Sequence, residues 1–280
     1  MTEQVLRLFP QPQEEVPLKG LYLGLDLYGN CSEAPVVYGN FLSSLDGRIA
    51  LSDPTIGTSW VPQDISNPRD WRLYQELAAH ADVLISSARY FRQFADGRAQ
   101  DVLPPGREDD YSDVREWRLQ KGMSAQPAIA ILSSSLNIPL KALDKYKSRE
   151  LHVFTGRAAD RVRVKQLENK GVRVHFAGEG LSVGGRELVD TLAAIGFKSI
   201  YAIAGSEVFH TLLAAGVVND LFLTQRHQIL AGDHFHTMIC GTELNPPSAL
   251  QMVSLYYDNQ PDGQSQSFIR FSCLSSMRHS

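Results

Sequence analysis

Ala204, Gly205 and Ser206 join a short apolar run, Ile200 to Ile203, to a segment in which Phe209, Leu212 and Leu213 share one helical face and Gly216 provides the stop. A strand that feeds a helix through a glycine leaves backbone N–H groups without partners at the positive end of the helix dipole. That arrangement binds phosphate without a charged side chain. Gly205, Ser206, Glu207 and Val208 are therefore candidates to hold a phosphate-bearing ligand such as a nucleotide cofactor, with Ser206 as N-cap and backbone donor. The same residues also suit an ordinary strand–helix turn in which glycine allows tight packing, and the local pattern leaves both readings open.

Other residue types point to the same sheet edge. Ser133 and the run Thr155-Gly156-Arg157 each follow a predicted strand. An arginine there can pair with a 2′-phosphate and select NADP over NAD; Arg157 also suits a solvated helix start. Trp60, in the loop sequence GTSW, can stack on a cofactor ring or cover the edge of the core. Asp46, in SLDG, stands just past a buried strand, where catalytic carboxylates are often found, although Asp-Gly also makes a turn by itself. His227, His234 and His236 are close in sequence but have no companion carboxylates or cysteines at a ligand spacing, so no metal is assigned. Neither GxSxG nor GxxxxGK[ST] occurs, which removes support for an elbow-type serine hydrolase and a P-loop NTPase.

The elements that position these residues alternate. Val36–Ser43 reads as a central strand, followed by a polar loop from Ser44. Asn67 is a good N-cap with Pro68 at the first helical position and Trp71, Tyr74, Leu77 and Ala78 as the apolar stripe. Strands are predicted over Asp82–Ser86, Pro127–Leu132, Glu150–Thr155, Val172–Phe176 and Asp220–Ile229. Helices are predicted over Ala88–Phe94, Ser112–Gln120, Ala158–Asn169 and Gly185–Ile195. Leu250–Tyr257 and Ser267–Cys273 read as a terminal antiparallel pair. The result is an α/β, doubly wound, mostly parallel sheet with a C-terminal antiparallel edge. Residues 1–35 show little periodicity and read as an arm that wraps the domain or reaches a partner subunit; residues 36–280 read as one domain.

Composition bounds the rest. With 280 residues, 43% of them hydrophobic, the chain can bury a large core. A net charge of −4 and no basic face give no reason to expect nucleic acid. Cys31, Cys240 and Cys273 are far apart and form no CxxC, so neither a disulfide framework nor a cysteine zinc site is expected, and a cytoplasmic setting is. No segment is apolar for long enough to be a signal peptide or to span a bilayer.

SLDGRIA, GTSW, DVLISSA, PAIAILSSSLNIP, the strand–Ala-Gly-Ser–helix and AAGVVNDLFLTQRHQILAG occur in that order. Together they resemble the reductase domain of the bifunctional riboflavin-biosynthesis deaminase–reductase family, which is dihydrofolate reductase-like. The resemblance covers most of Val36 to the C-terminus and is most specific in SLDG and GVVNDL. No deaminase signature precedes it. It implies NADPH-dependent reduction of a ribosylamino-pyrimidine phosphate, with hydride transfer to the sugar C1′, in a homodimer. It places Trp60, Ser133 and Gly205 to Val208 on NADPH, and Ser44 and Asp46 near the nicotinamide and substrate as catalytic residues. The chain departs from the family pattern at Ile203, where a glutamate is usual, and near Leu77, where an arginine is. Those departures leave open a reductase of another heterocyclic or pterin-like acceptor, or a non-catalytic paralogue.

Overall fold

The apolar runs become the strands of one large sheet. The computed structural model describes residues 3–27, 34–55, 58–99, 103–260 and 264–274. In chain order the strands are β1 (Gln4–Phe9), β2 (Glu14–Pro17), β3 (Val36–Ser44), β4 (Ala50–Asp53), β5 (Thr58–Trp60), β6 (Val83–Ser87), β7 (Ala128–Leu132), β8 (Leu151–Thr155), β9 (Arg173–Phe176), β10 (Ser199–Ala202), β11 (Asp220–Arg226), β12 (Phe235–His236), β13 (Leu250–Asp258) and β14 (Gln266–Cys273). The helices are α1 (Pro68–Ala79), α2 (Ala88–Ala95), α3 (Ser112–Gln120), α4 (Leu140–Asp144), α5 (Arg161–Glu168), α6 (Gly185–Ile195) and α7 (Ser206–Ala214). Eleven strands pair in the order β2-β1-β13-β14-β11-β3-β10-β6-β7-β8-β9, and β12, β4 and β5 form a separate three-stranded sheet.

From β11 to β9 every pairing is parallel; the pairings from β11 through β14, β13 and β1 to β2 are antiparallel. Parallel strands need helical crossovers, which cover both faces and demand apolar residues on each. Period-two alternation then divides the strands between two cores. Leu84, Ile129, Tyr38, Tyr201 and Phe222 fill one, while Val83, Ile85, Val37, Ile200 and Phe209 fill the other. Tyr38 and Tyr201, paired in register on β3 and β10, stack with ring centroids 4.8 Å apart. Gly39 lets α7 approach β3: a Cβ there would collide with the Phe209 ring.

α1 starts as its residues dictate. Asn67 accepts at its side chain from the N–H groups of Arg69 and Asp70, at 3.1 and 3.0 Å, with Pro68 behind it. The helix also fixes the N-terminal segment. The buried Glu76 carboxylate accepts from Gly20 N at 2.6 Å, Tyr22 N at 2.9 Å and Arg72 Nε at 2.7 Å. Buried Arg69 bridges Asp258 of β13 and the Gln4 carbonyl of β1, at 2.8 and 3.0 Å. Within residues 1–35, read as an arm without periodicity, β1 and β2 extend the antiparallel edge. The polar loop after Ser44 likewise contains β4 and β5. Both sets of strands are short, and each is tied into its sheet by a strand distant in sequence, β1 by β13 and β4 by β12.

At the end of α1, His80 is almost completely buried. Its Nε2 donates to the Tyr22 carbonyl at 2.7 Å and its ring meets the edge of Trp117 at 4.7 Å. Burial pushes the imidazole down to about 4. No helix among the described residues is long and apolar enough to cross a membrane.

Candidate active site

In an open α/β sheet, ligands bind beyond the carboxyl ends of the strands, where the chain reverses its direction of travel across the sheet. Here β6, β7, β8 and β9 step outward from β3, and β10 returns between β3 and β6. A cleft of about 650 Å³ opens beyond β6, β7 and β10, within the range of small-molecule sites. The small sheet forms the facing wall, through Ile49, Ala50, Ser59, Trp60 and His236.

Six residues predicted to bind a cofactor line this cleft: Trp60, Ser133, Gly205, Ser206, Glu207 and Val208. Gly205 is the N-cap of α7, with extended backbone at φ −69° and ψ −173°. A Cβ built there would meet nothing within 4 Å, so the space over the helix start is open. The first N–H groups of a helix lack intrahelical acceptors, and those of α7 begin at Ser206. Ser206 is not the N-cap expected from the sequence. It lies inside the first turn, and its hydroxyl donates to the Thr237 carbonyl at 2.7 Å, tying α7 to the segment after β12. Ser133 is buried, and its hydroxyl has no hydrogen-bond partner among the described residues. Trp60 is 41% exposed, which places it on the cleft rim rather than over the core.

Four predicted site residues lie outside the lining. Gly156 N, Arg157 N and Ala158 N donate to the carbonyls of Leu181, Gly178 and Gly180, at 3.1, 2.8 and 3.0 Å. The 178–181 backbone therefore covers the end of β8, and a Cβ at Gly156 would strike it. Thr155 is completely buried beneath it. Arg157 points outward, 64% exposed, and pairs with Glu179 at 3.0 Å. A closed strand end removes both residues from the ligand edge expected for them.

Ser44 and Asp46 belong to a turn beside the small sheet. Gly47, at φ +81°, closes it, with its N–H donating to the Ser44 carbonyl at 3.0 Å. Asp46 accepts from Ser44 Oγ at 2.5 Å, Arg48 Nη1 at 2.5 Å and the N–H groups of Leu230 and Ala231 at 3.3 and 2.9 Å. The Ser44 hydroxyl, followed by the two N–H groups and Arg48, outweighs partial burial and holds the Asp46 carboxyl at about 2. It is an ionised turn anchor, with its oxygens already engaged. Leu77, near which an arginine would suit the family pattern, is completely buried in the core, while Ile203 stands in the cleft wall.

The cleft also contains residues with chemistry that no motif marked. His236 and Ser59 meet at Nε2···Oγ 3.0 Å. Arg89 and Arg92, from the first two turns of α2, supply positive charge; Arg92 Nη1 donates to the Asn137 carbonyl at 3.0 Å. His227 lies apart, between Ser265 and Ser267 at 2.9 and 3.0 Å, and His234 is exposed. Among the described residues no group of three or more His, Cys, Asp or Glu is placed to hold a metal ion. The one sequence signal for His236 was the HFH cluster itself, which carried no indication of a cleft.

The fold is thus a doubly wound α/β sheet with an open helix start at its carboxyl end, facing a cleft of small-molecule size. The chain belongs to the RibD C-terminal domain family, whose model matches residues 35–257. A pyrimidine reductase-like protein from Corynebacterium diphtheriae superposes with a TM-score of 0.67 at 20% identity, over 92% of this chain and 99% of that one. RibD from Acinetobacter baumannii superposes with a TM-score of 0.58 at 18% identity, over 86% of this chain. The match spans 58% of the RibD chain. The riboflavin biosynthesis reductase Rib7 of Saccharomyces cerevisiae gives 0.53 at 14% identity, over 86% of this chain and 91% of that one. At these identities the superpositions establish a common fold. No curated protein sequence matches the chain.

Proposed function

We propose that the protein is an NADPH-dependent reductase of a ribosylamino-pyrimidine phosphate, with residues 36–280 as the reductase unit. Family membership supports the reaction class. The observation that carries the cofactor reading is the open helix start at Gly205 in the same cleft as the Ser133 hydroxyl, which has no hydrogen-bond partner among the described residues. When bound, the dinucleotide supplies a hydride to the sugar C1′. The Ser206 and Glu207 N–H groups at the start of α7 would hold its diphosphate, with Gly205 leaving the approach open and Val208, whose N–H is given to the Gly205 carbonyl at 3.1 Å, lining the cleft beside them; Ser133 would donate to it, and Trp60 would cover it from the rim. Arg89 and Arg92 are the cleft cations suited to a further phosphate. Glu207, in the first turn of α7, opposes that charge.

Hydride transfer to C1′ opens the sugar ring, and the ring oxygen must take up a proton. Among the described residues, His236 is the imidazole that lines the cleft, and it is oriented by Ser59. We place the proton at His236 Nε2 or on Ser59 Oγ beside it. Ser44 and Asp46 act at one remove, fixing the turn that leads into β4. Leu250 and Met252, 42% and 39% exposed at the start of β13, offer an apolar patch for a homodimer. A cytoplasmic location suits this chemistry.

The test is a titration with NADPH and NADH, read by nicotinamide fluorescence, followed by turnover of the ribosylamino-pyrimidine phosphate. Binding of NADPH that weakens in Gly205→Asp, with turnover, supports the reading; no binding of either nucleotide overturns it. A second reading rests on Ile203 in the cleft wall. An apolar side chain there suits a less polar heterocyclic acceptor, and NADPH binding without turnover of the pyrimidine would favour it.

A further inference from the structure

The parallel sheet has a second cavity at its other end. The starts of β6, β7 and β8 and the turn before β10 surround about 290 Å³, lined by Asp82, Arg118, Gln126, Arg149 and Glu150 among others. Its two arginines are buried, Arg118 at 1% exposure and Arg149 at 6%. Arg118 donates from Nε to the Ser124 carbonyl at 2.7 Å. From Nη1 it donates to the carbonyls of Ala78, Ala79 and Ala81, at 3.1, 2.8 and 2.6 Å, which caps the C-terminal end of α1. Arg149 donates from Nε to the Pro127 carbonyl at 2.7 Å and from Nη1 to the Leu103 carbonyl at 3.3 Å. Its Nη2 is buried and has no acceptor among the described residues.

The two acids at this cavity are engaged elsewhere. Asp82 Oδ2 accepts from the N–H groups of Lys198 and Ser199, at 2.7 and 3.0 Å. Glu150 pairs with Arg173 and lies 3.2 Å from His152 Nε2. Among the described residues, the hydrogen-bond acceptors of Arg149 are thus carbonyl oxygens alone. Burial lowers its guanidinium to about 9, and the charge of Arg118 acts in the same direction. A buried cation with an idle donor and a second cation nearby is destabilising until a negative charge arrives.

We propose that this cavity is a binding site for a small oxyanion of phosphate size, held by Arg149 and flanked by Arg118. The planar guanidinium suits such an anion better than an ammonium does. The site is also wired to the cleft. The Leu103 carbonyl is held by Arg149, its N–H donates to the Tyr146 hydroxyl at 3.3 Å, and its side chain lines the cleft. Gln126, at the cavity, donates to the Pro105 carbonyl at 2.9 Å. An anion that fixes Arg149 therefore stiffens the 103–105 segment, whose Leu103 lines the cleft.

The experiment is isothermal titration of the full chain with inorganic phosphate, with acetate as the carboxylate probe, on wild type, Gly205→Asp, Arg149→Met and Glu150→Gln. We expect saturable phosphate binding that survives Gly205→Asp, weakens at least about tenfold in Arg149→Met, and tightens several-fold when the acid is neutralised in Glu150→Gln. Equal or stronger binding of acetate would reassign the ligand class to a carboxylate. Phosphate binding abolished by Gly205→Asp and kept in Arg149→Met would assign the anion to the cleft and overturn the proposal. No saturation up to roughly 10 mM would overturn it as well. If Arg149→Met fails to fold, Glu150→Gln decides alone, an unchanged affinity counting against the site.

Discussion

His236 Nε2 and Ser59 Oγ lie 3.0 Å apart across β4, one on β12 and the other on β5, so the two outer strands of the small sheet join at the cleft. Arg89 Nη2 stands 3.5 Å from the same hydroxyl, at the limit of a hydrogen bond. If His236 handles the proton, His236→Gln should lower kcat by about 100-fold and leave NADPH affinity unchanged. Equal losses in kcat and cofactor affinity would instead mark His236 as part of the cofactor site.

Gly205→Asp separates binding from folding. A Cβ there meets nothing within 4 Å, and aspartate is a favoured N-cap. The melting temperature should hold or rise, while NADPH affinity falls by roughly tenfold or more through repulsion at the helix start. Glu207→Gln should act in the opposite direction, tightening NADPH several-fold. A change in stability and no change in affinity would place the phosphates elsewhere.

Ser133→Ala removes a buried hydroxyl that has no partner among the described residues, so the ligand-free protein should keep its stability or gain slightly. NADPH affinity should fall about five- to tenfold, the worth of one hydrogen bond of about 1 kcal/mol. Thermal unfolding with and without cofactor reads both effects.

His80 makes stability depend on pH. Its folded imidazole is held at about 4 against an ordinary 6.5, so the folded state refuses a proton that the unfolded chain accepts. Stability is complete above pH 6.5 and is lost as pH falls toward 4, by up to roughly 3 kcal/mol. Denaturant unfolding at pH 7 and pH 4.5 should show the loss, and His80→Asn should show a shallower slope between them.

The buried parallel strands were legible because burial on both faces writes uninterrupted apolar runs: the run in DVLIS and the run Ile200–Ile203 fall within a residue of β6 and β10. The helices over 112–120 and 185–195 match their predicted bounds. The α5 start was set too early because residues 156–158 are held by the 178–181 backbone, a contact between segments with no mark in either. The small sheet escaped for a related reason. β12 is two residues long, and it pairs with Leu51 and Ala50 across more than 180 positions. Two stretches of the cleft lining were readable, as a glycine after one strand and a serine after another. His236 was not, because only that long-range pairing brings it to the cleft.

β3 opens the parallel core, yet its neighbours are β10 and β11, whose residues begin at Ser199 and Asp220. During synthesis Val36–Ser44 must therefore wait, with apolar side chains on both faces, until most of the chain has been made. Any delay after α6 leaves that strand without its partners and open to pairing between chains. Folding yield should accordingly be governed by how promptly the last third of the chain arrives, more than by the stability of the finished sheet.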